Sequence, residues 1–165
     1  MAQGILRVHG QEKLRVPVVA NNSDVFAENS PVFIDSDGFL AISSTTNKIW
    51  GYCKKAFTAL AANETGTGLQ TTDSATARYA PPVIEPDNVD FWADADEALT
   101  QTSVGTYADI ASVAAGVVTL NLVGGSTGQF HVLGLLADFD PNFTGDTLKI
   151  VVRAAEPQDS GFAQT

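Results

Sequence analysis

Four carboxylates fall within a short stretch, Asp90, Asp94, Asp96 and Glu97, and offer the chain a supply of acid–base chemistry. Two of them facing one another across a cleft could act as general acid and general base. Their spacing does not turn any two toward each other, and clustered acids usually form a solvated face, here one that could complement a basic partner. Asp35-x-Asp37-Gly38 starts like a calcium loop. The twelfth position from Asp35, where such a loop needs a bidentate Glu, is Thr46, and Phe39 and Ile42 stand where oxygen ligands would help. The same residues suit a hairpin-type turn. His9 and His131 are far apart and share no metal-ligand spacing with each other or with Cys53. His131 lies in an apolar run, where a structural, hydrogen-bonded histidine is expected. The Gly-rich stretch 124–128 lacks the Gly-Lys-Ser/Thr ending of a phosphate loop and reads as a hairpin turn between strands. The residues therefore predict no enzyme, no metal site and no cofactor.

Composition narrows the class further. The chain has 165 residues, 44% apolar and 17% charged, which fits one folded domain or two small β-lobes sharing a core. So little charge suits either an assembly subunit or a neutral Thr/Ser/Ala-rich β protein. The net charge of −10 argues against nucleic acid as a partner, because a basic stripe normally supplies that affinity. Cys53 is the only cysteine, so no intrachain disulfide can form, and its strand-like setting predicts a buried, inert thiol. The first residues carry no apolar signal core and no apolar run is long enough to span a bilayer, so folding in a reducing cytoplasm is expected.

The elements that would position these groups read as strands. Residues 31–57 suggest three: Val32-Phe33-Ile34, Phe39-Leu40-Ala41-Ile42 after the Asp35–Gly38 turn, and Ile49-Trp50-Gly51-Tyr52-Cys53. Residues 1–20 form an N-terminal extended arm or edge strand, since Pro17 cannot donate to a ladder and Arg7, Lys13 and Arg15 face a single Glu12. Residues 12–80 form a first β-lobe, in which 56–62 could be a short helix or a strand and 69–76 an exposed loop. Residues 81–98, with Pro81, Pro82 and Pro86, read as a Pro-rich, acidic connector. Residues 99–155 form a second β-lobe with strands at 106–110, 116–123, 129–136 and 146–153, followed by a tail at 156–165. In the last strand Leu148, Ile150 and Val152 share one face. The expected fold is mainly β, with antiparallel barrel- or sandwich-like lobes and short or no helices.

Ser30-Pro31-Val32-Phe33-Ile34-Asp35-Ser36-Asp37-Gly38-Phe39, followed by Ile49-Trp50-Gly51-Tyr52, resembles the small β-rich head proteins of tailed bacteriophages. Val104-Gly105-Thr106-Tyr107 and Ser126-Thr127-Gly128-Gln129-Phe130 are similar to that group as well. The resemblance implies a capsid decoration, or cement, protein. It would be made in the host cytoplasm and placed on the virion exterior, commonly as a homotrimer. It would bind the major capsid protein and clamp neighbouring subunits of the expanded shell, with neither nucleic acid nor membrane as partner. Edge or aromatic character makes Leu6, Arg7, Val8, Phe91 and Trp92 the candidate capsid or intersubunit contacts, although Phe91 and Trp92 could equally pack within the chain. Two alternatives remain open: a minor head, tail or fibre component, and a carbohydrate-binding β-module using Trp50, Tyr52 and Trp92 as stacking platforms.

Overall fold

The computed structural model describes residues 3–8, 12–66, 78–115, 117–123, 125 and 127–155. The loop expected at 69–76 and the tail at 156–165 lie outside them. Among the described residues twelve strands follow in order. They are β1 Gln3–Val8, β2 Val25–Phe26, β3 Pro31–Ile34, β4 Leu40–Ile42, β5 Gly51–Cys53 and β6 Phe57–Thr58. Then come β7 Val83–Ile84, β8 Val89–Ala95, β9 Tyr107–Ala114, β10 Val117–Leu122, β11 Phe130–Leu135 and β12 Lys149–Ala154. The described helical segments are single 3₁₀ turns of three residues each, and none could cross a membrane. The chain is mainly β, as its alternating apolar pattern predicts.

Strands β8 to β12 close a five-stranded barrel. Around it β8 meets β12, β12 meets β11, β11 meets β9 and β9 meets β10, all antiparallel. A short parallel contact, Thr119 to Asp94 and Leu120 to Ala95, closes the ring. Period-2 alternation fills the interior: Val89, Phe91, Ala93 and Ala95 from β8 meet Val118, Leu120, Phe130, Val132, Ile150 and Val152. Residues 81–98 are thus not a connector. They contain β7, a 3₁₀ turn at Pro86–Asn88 and β8, because the prolines stop before an alternating run that the barrel buries. The strands on either side of 124–128 are not hairpin partners either, because β9 lies between β10 and β11 in the sheet, and residues 124 and 126 lie outside the described residues. The tight hairpin joins β9 to β10 instead, with Ala115 at φ 49°. In β12 Val151 is buried alongside Ile150 and Val152, while Leu148 precedes the strand and is half-exposed.

The first lobe is a four-stranded antiparallel sheet, ordered β4-β3-β5-β7, beside the β2–β6 pair. The turn between β3 and β4 is the hairpin its sequence predicts. The Asp35 carboxylate accepts from the amides of Asp37 (3.0 Å) and Phe39 (2.9 Å), and Gly38 takes φ 86°. Residues 56–62 resolve as the short strand β6 rather than a helix. Buried Asn63 fastens two distant segments: its amide donates to the carbonyls of Ala20 (2.7 Å) and Tyr79 (3.1 Å), and its oxygen accepts from Tyr79 N–H (2.8 Å).

The sheet serves two cores through its two faces. Trp50, Cys53 and Val83 join Val32, Ile34 and Leu40 on one side. Ile49, Tyr52 and Ile84 point the other way and enter the barrel core. There Tyr52 stacks on Phe91, with centroids 4.9 Å apart and planes at 12°, and Phe91 lies 6.4 Å from Phe130. Gln129 adds a polar tie, its amide donating to the carbonyls of Ser44 and Asn47, each at 2.6 Å. Truncating Phe91 removes the middle ring of the stack. Phe91→Ala is expected to cost about 3–5 kcal/mol. Urea unfolding followed by tryptophan fluorescence and by far-UV circular dichroism should still give one coincident transition; separate transitions for the two lobes would contradict a shared core.

Candidate functional site

The five residues singled out by sequence come together on adjacent strands. β1 pairs antiparallel with β8, setting Gly4 opposite Trp92, Ile5 opposite Phe91, Arg7 opposite Asp90 and Val8 opposite Val89. The register shifts between Ile5 and Arg7, so Leu6 sits at a bulge. One edge of β8 is taken by β12, and the other is shared by β1 and the short β10 contact. Among the described strands β1 has β8 as its one neighbour, which leaves its outer edge open.

Phe91 and Trp92 point to opposite faces and do different work. Phe91 is fully buried in the barrel and has no surface to offer a partner. Trp92 is half-buried on the outer face, 5.8 Å from the Phe143 ring, with the Lys149 ammonium 5.5 Å from its centroid. Cations engage the neighbouring acids. Arg153 donates to Asp90 Oδ1 from Nε (2.9 Å) and Nη2 (2.6 Å), and Lys149 reaches Asp94 at 2.5 Å. Asp90 is only 1% exposed, so its pairing with Arg153 offsets the cost of burying the charge. Asp96 and Glu97 remain exposed. Sequence reasoning found the acids but missed these pairs, because Lys149 and Arg153 lie more than fifty residues away along the chain.

Other candidate groups are used structurally. The Asp35 carboxylate is engaged by backbone amides and, through Oδ2, by the Asn21 amide at 2.9 Å. Among the described residues no group of three or more His, Cys, Asp or Glu side chains is placed to hold a metal ion. His131 lies against Tyr107, ring centroids 4.3 Å apart, and His9 is outside the described residues. Gly124-x-Ser126-x-Gly128 has the spacing of a nucleophile elbow, but an elbow joins a strand to a helix, and these residues stand between β10 and β11. Trp50 and Tyr52 are buried, which takes two of the three stacking platforms away from a carbohydrate-binding reading.

No family model, curated protein or solved structure matches this chain. The geometry stands on its own: a closed barrel, a capping sheet, an outer face whose acids Asp90 and Asp94 are paired with cations, and a β1 edge left open by the described residues.

Two titrations test the placement of individual groups. Burial, followed by the nearby charges of Asp35 and Glu64, holds the Asp24 carboxyl above its ordinary value of 3.8. The folded chain therefore keeps this proton more tightly than the unfolded chain, and Asp24 makes stability fall as pH rises from 3.8 through the raised value. Asp24→Asn should raise the urea midpoint at neutral pH and leave it nearly unchanged at pH values well below that window; a lower neutral midpoint would contradict the repulsion. Burial pushes the Cys53 thiol up to about 11, and its Sγ–H donates to the Lys55 carbonyl at 2.9 Å. An aromatic disulfide reagent at mildly alkaline pH should label Cys53 only after denaturation, and stoichiometric labelling of the native chain would place the thiol at the surface.

Proposed function

We propose that this chain is a non-enzymatic structural protein of a tailed-phage virion. It binds the outer surface of the capsid and stabilises the expanded shell by bridging neighbouring capsid subunits. Its partner is the major capsid protein, and it sits on the shell as a homotrimer, with neither nucleic acid nor membrane as its target.

The observation that carries this reading is the open outer edge of β1. A strand fixed on one side to β8 and, among the described residues, unpaired on the other presents a row of backbone groups to which a neighbouring chain can add. The resemblance of the 30–39 and 49–52 stretches to phage head proteins supports it, as does a net charge of −10 that disfavours nucleic acid. Several modest contacts on one particle combine through high effective concentration, so no single tight site is required.

Replacing Ile5, Leu6, Arg7 and Val8 with a Gly/Ser stretch tests the edge. The barrel closes through β8–β12 and β8–β10 without β1, so the far-UV spectrum of the isolated chain should persist. Co-sedimentation with expanded shells lacking this protein should weaken by about tenfold or more. Undiminished binding would remove β1 from the mechanism.

A further inference from the structure

A second strand edge lies on the first lobe. Residues 12–17 run antiparallel along the outside of β7: Arg15 N–H donates to the Val83 carbonyl (2.8 Å), Glu85 N–H donates to the Lys13 carbonyl (2.9 Å), and Leu14 bridges Ile84. In this pattern the bonds on either side of Leu14 point inward to β7, so the N–H and C=O of Leu14 and the N–H of Val16 point away from the sheet. Those groups have no partner among the described residues. Leu14 is 53% exposed and Val16 79% exposed, the largest value among the exposed large apolar residues.

Charge gathers at the same place. Lys13, Arg15 and Lys54 are three of the nine basic residues of a chain with net charge −10, and they stand against Glu12 and Glu85 here. Lys54 N–H bonds the carbonyl of Pro82, which the antiparallel register carries alongside Val16, and the Lys54 ammonium pairs with Glu12 at 2.5 Å. Arg15 is held in place by the Trp50 carbonyl (3.1 Å) and by Glu85 (3.9 Å). Lys13 is exposed and makes no ion pair among the described residues. Lysine and proline on an edge normally discourage indiscriminate strand pairing. Here they flank exposed Leu14 and Val16 rather than replace them, which disfavours basic partners and admits acidic ones.

We propose that the outer edge of residues 13–16 is a docking site for an extended segment of a partner protein in which apolar and acidic residues alternate. The alternation follows from the pleat. A strand added beside this edge sets every second side chain against Leu14 and Val16 and the intervening ones toward the face carrying Lys13. Backbone bonds to Leu14 and Val16 supply affinity, and the lysines supply the choice of charge. The site is separate from the β1 edge and does not depend on the virion reading.

The test uses the ¹⁵N-labelled full chain and two capped octapeptides, one alternating glutamate with valine and one alternating lysine with valine. The glutamate peptide should shift the Leu14 and Val16 amides saturably, bind about tenfold more tightly than the lysine peptide, and weaken in high salt. Leu14→Asp combined with Val16→Asp, both at exposed positions, should abolish those shifts while the rest of the spectrum keeps its dispersion. Equal binding of both peptides would overturn the charge recognition. An absence of shifts at Leu14 and Val16, or persistence of binding in the double variant, would overturn the site. Concentration-dependent shifts of the same amides without peptide would assign the edge to a second copy of this chain and overturn the proposed partner.

Discussion

The stack of Tyr52, Phe91 and Phe130 is the contact on which the rest of the molecule depends. A five-stranded barrel built largely from small and β-branched residues needs bulk to fill its interior, and a neighbouring sheet contributes part of it. Tyr52, Ile49 and Ile84 enter the barrel because successive strand residues point to opposite faces, so β5 and β7 can serve both cores at once. This arrangement buries the Tyr52 hydroxyl without a hydrogen-bond partner among the described residues, and burial together with the nearby Asp90 charge raises its pKa. The aromatic stacking and the apolar contact area around the ring offset that cost. Two lobes tied in this way behave as one body, which directs attention to surfaces rather than to a cleft between moving parts.

Strand β8 links that core to the surface. Its inward residues build the barrel, and its outward residues Asp90, Trp92 and Asp94 form a ladder with Arg153, Val151 and Lys149 of β12. The edge of β8 away from β12 is divided between a two-residue parallel contact with β10 and the longer pairing with β1. Closing the ring with so short a contact leaves room for an added strand, and the added strand carries the open edge outward. The segment along β7 repeats the device on the other lobe. Two edges that the described residues leave open, on lobes sharing one core, let each contact be modest when both are made together.

Much of this was legible in the sequence. Alternation marked β3, β4, β5 and β9 to β12 to within a few residues, and Asp35 with Gly38 marked the hairpin. Strand β8 was obscured because the three prolines before it dominate the local reading, although Val89, Phe91, Ala93 and Ala95 alternate as clearly as the residues of β12. Sheet order was not legible at all. The glycines at 124–128 signal a turn, but periodicity cannot say that β9 lies between the strands they join. Phe91 and Trp92 drew attention as aromatics, yet only the pleat of β8 separates the core residue from the surface one. The exposed edge at Leu14 and Val16 was half-visible, because Pro17 signalled an edge without saying which side of the segment stays open.

Decoration of a whole phage head makes a numerical demand: copies comparable in number to the shell subunits. Quantitative mass spectrometry of purified virions, read against the major shell protein, measures it directly, with particle imaging to set aside a tail-tube subunit. A ratio near one copy per shell subunit is the result expected of a protein that decorates the whole capsid. A handful of copies per particle, or none, would contradict it.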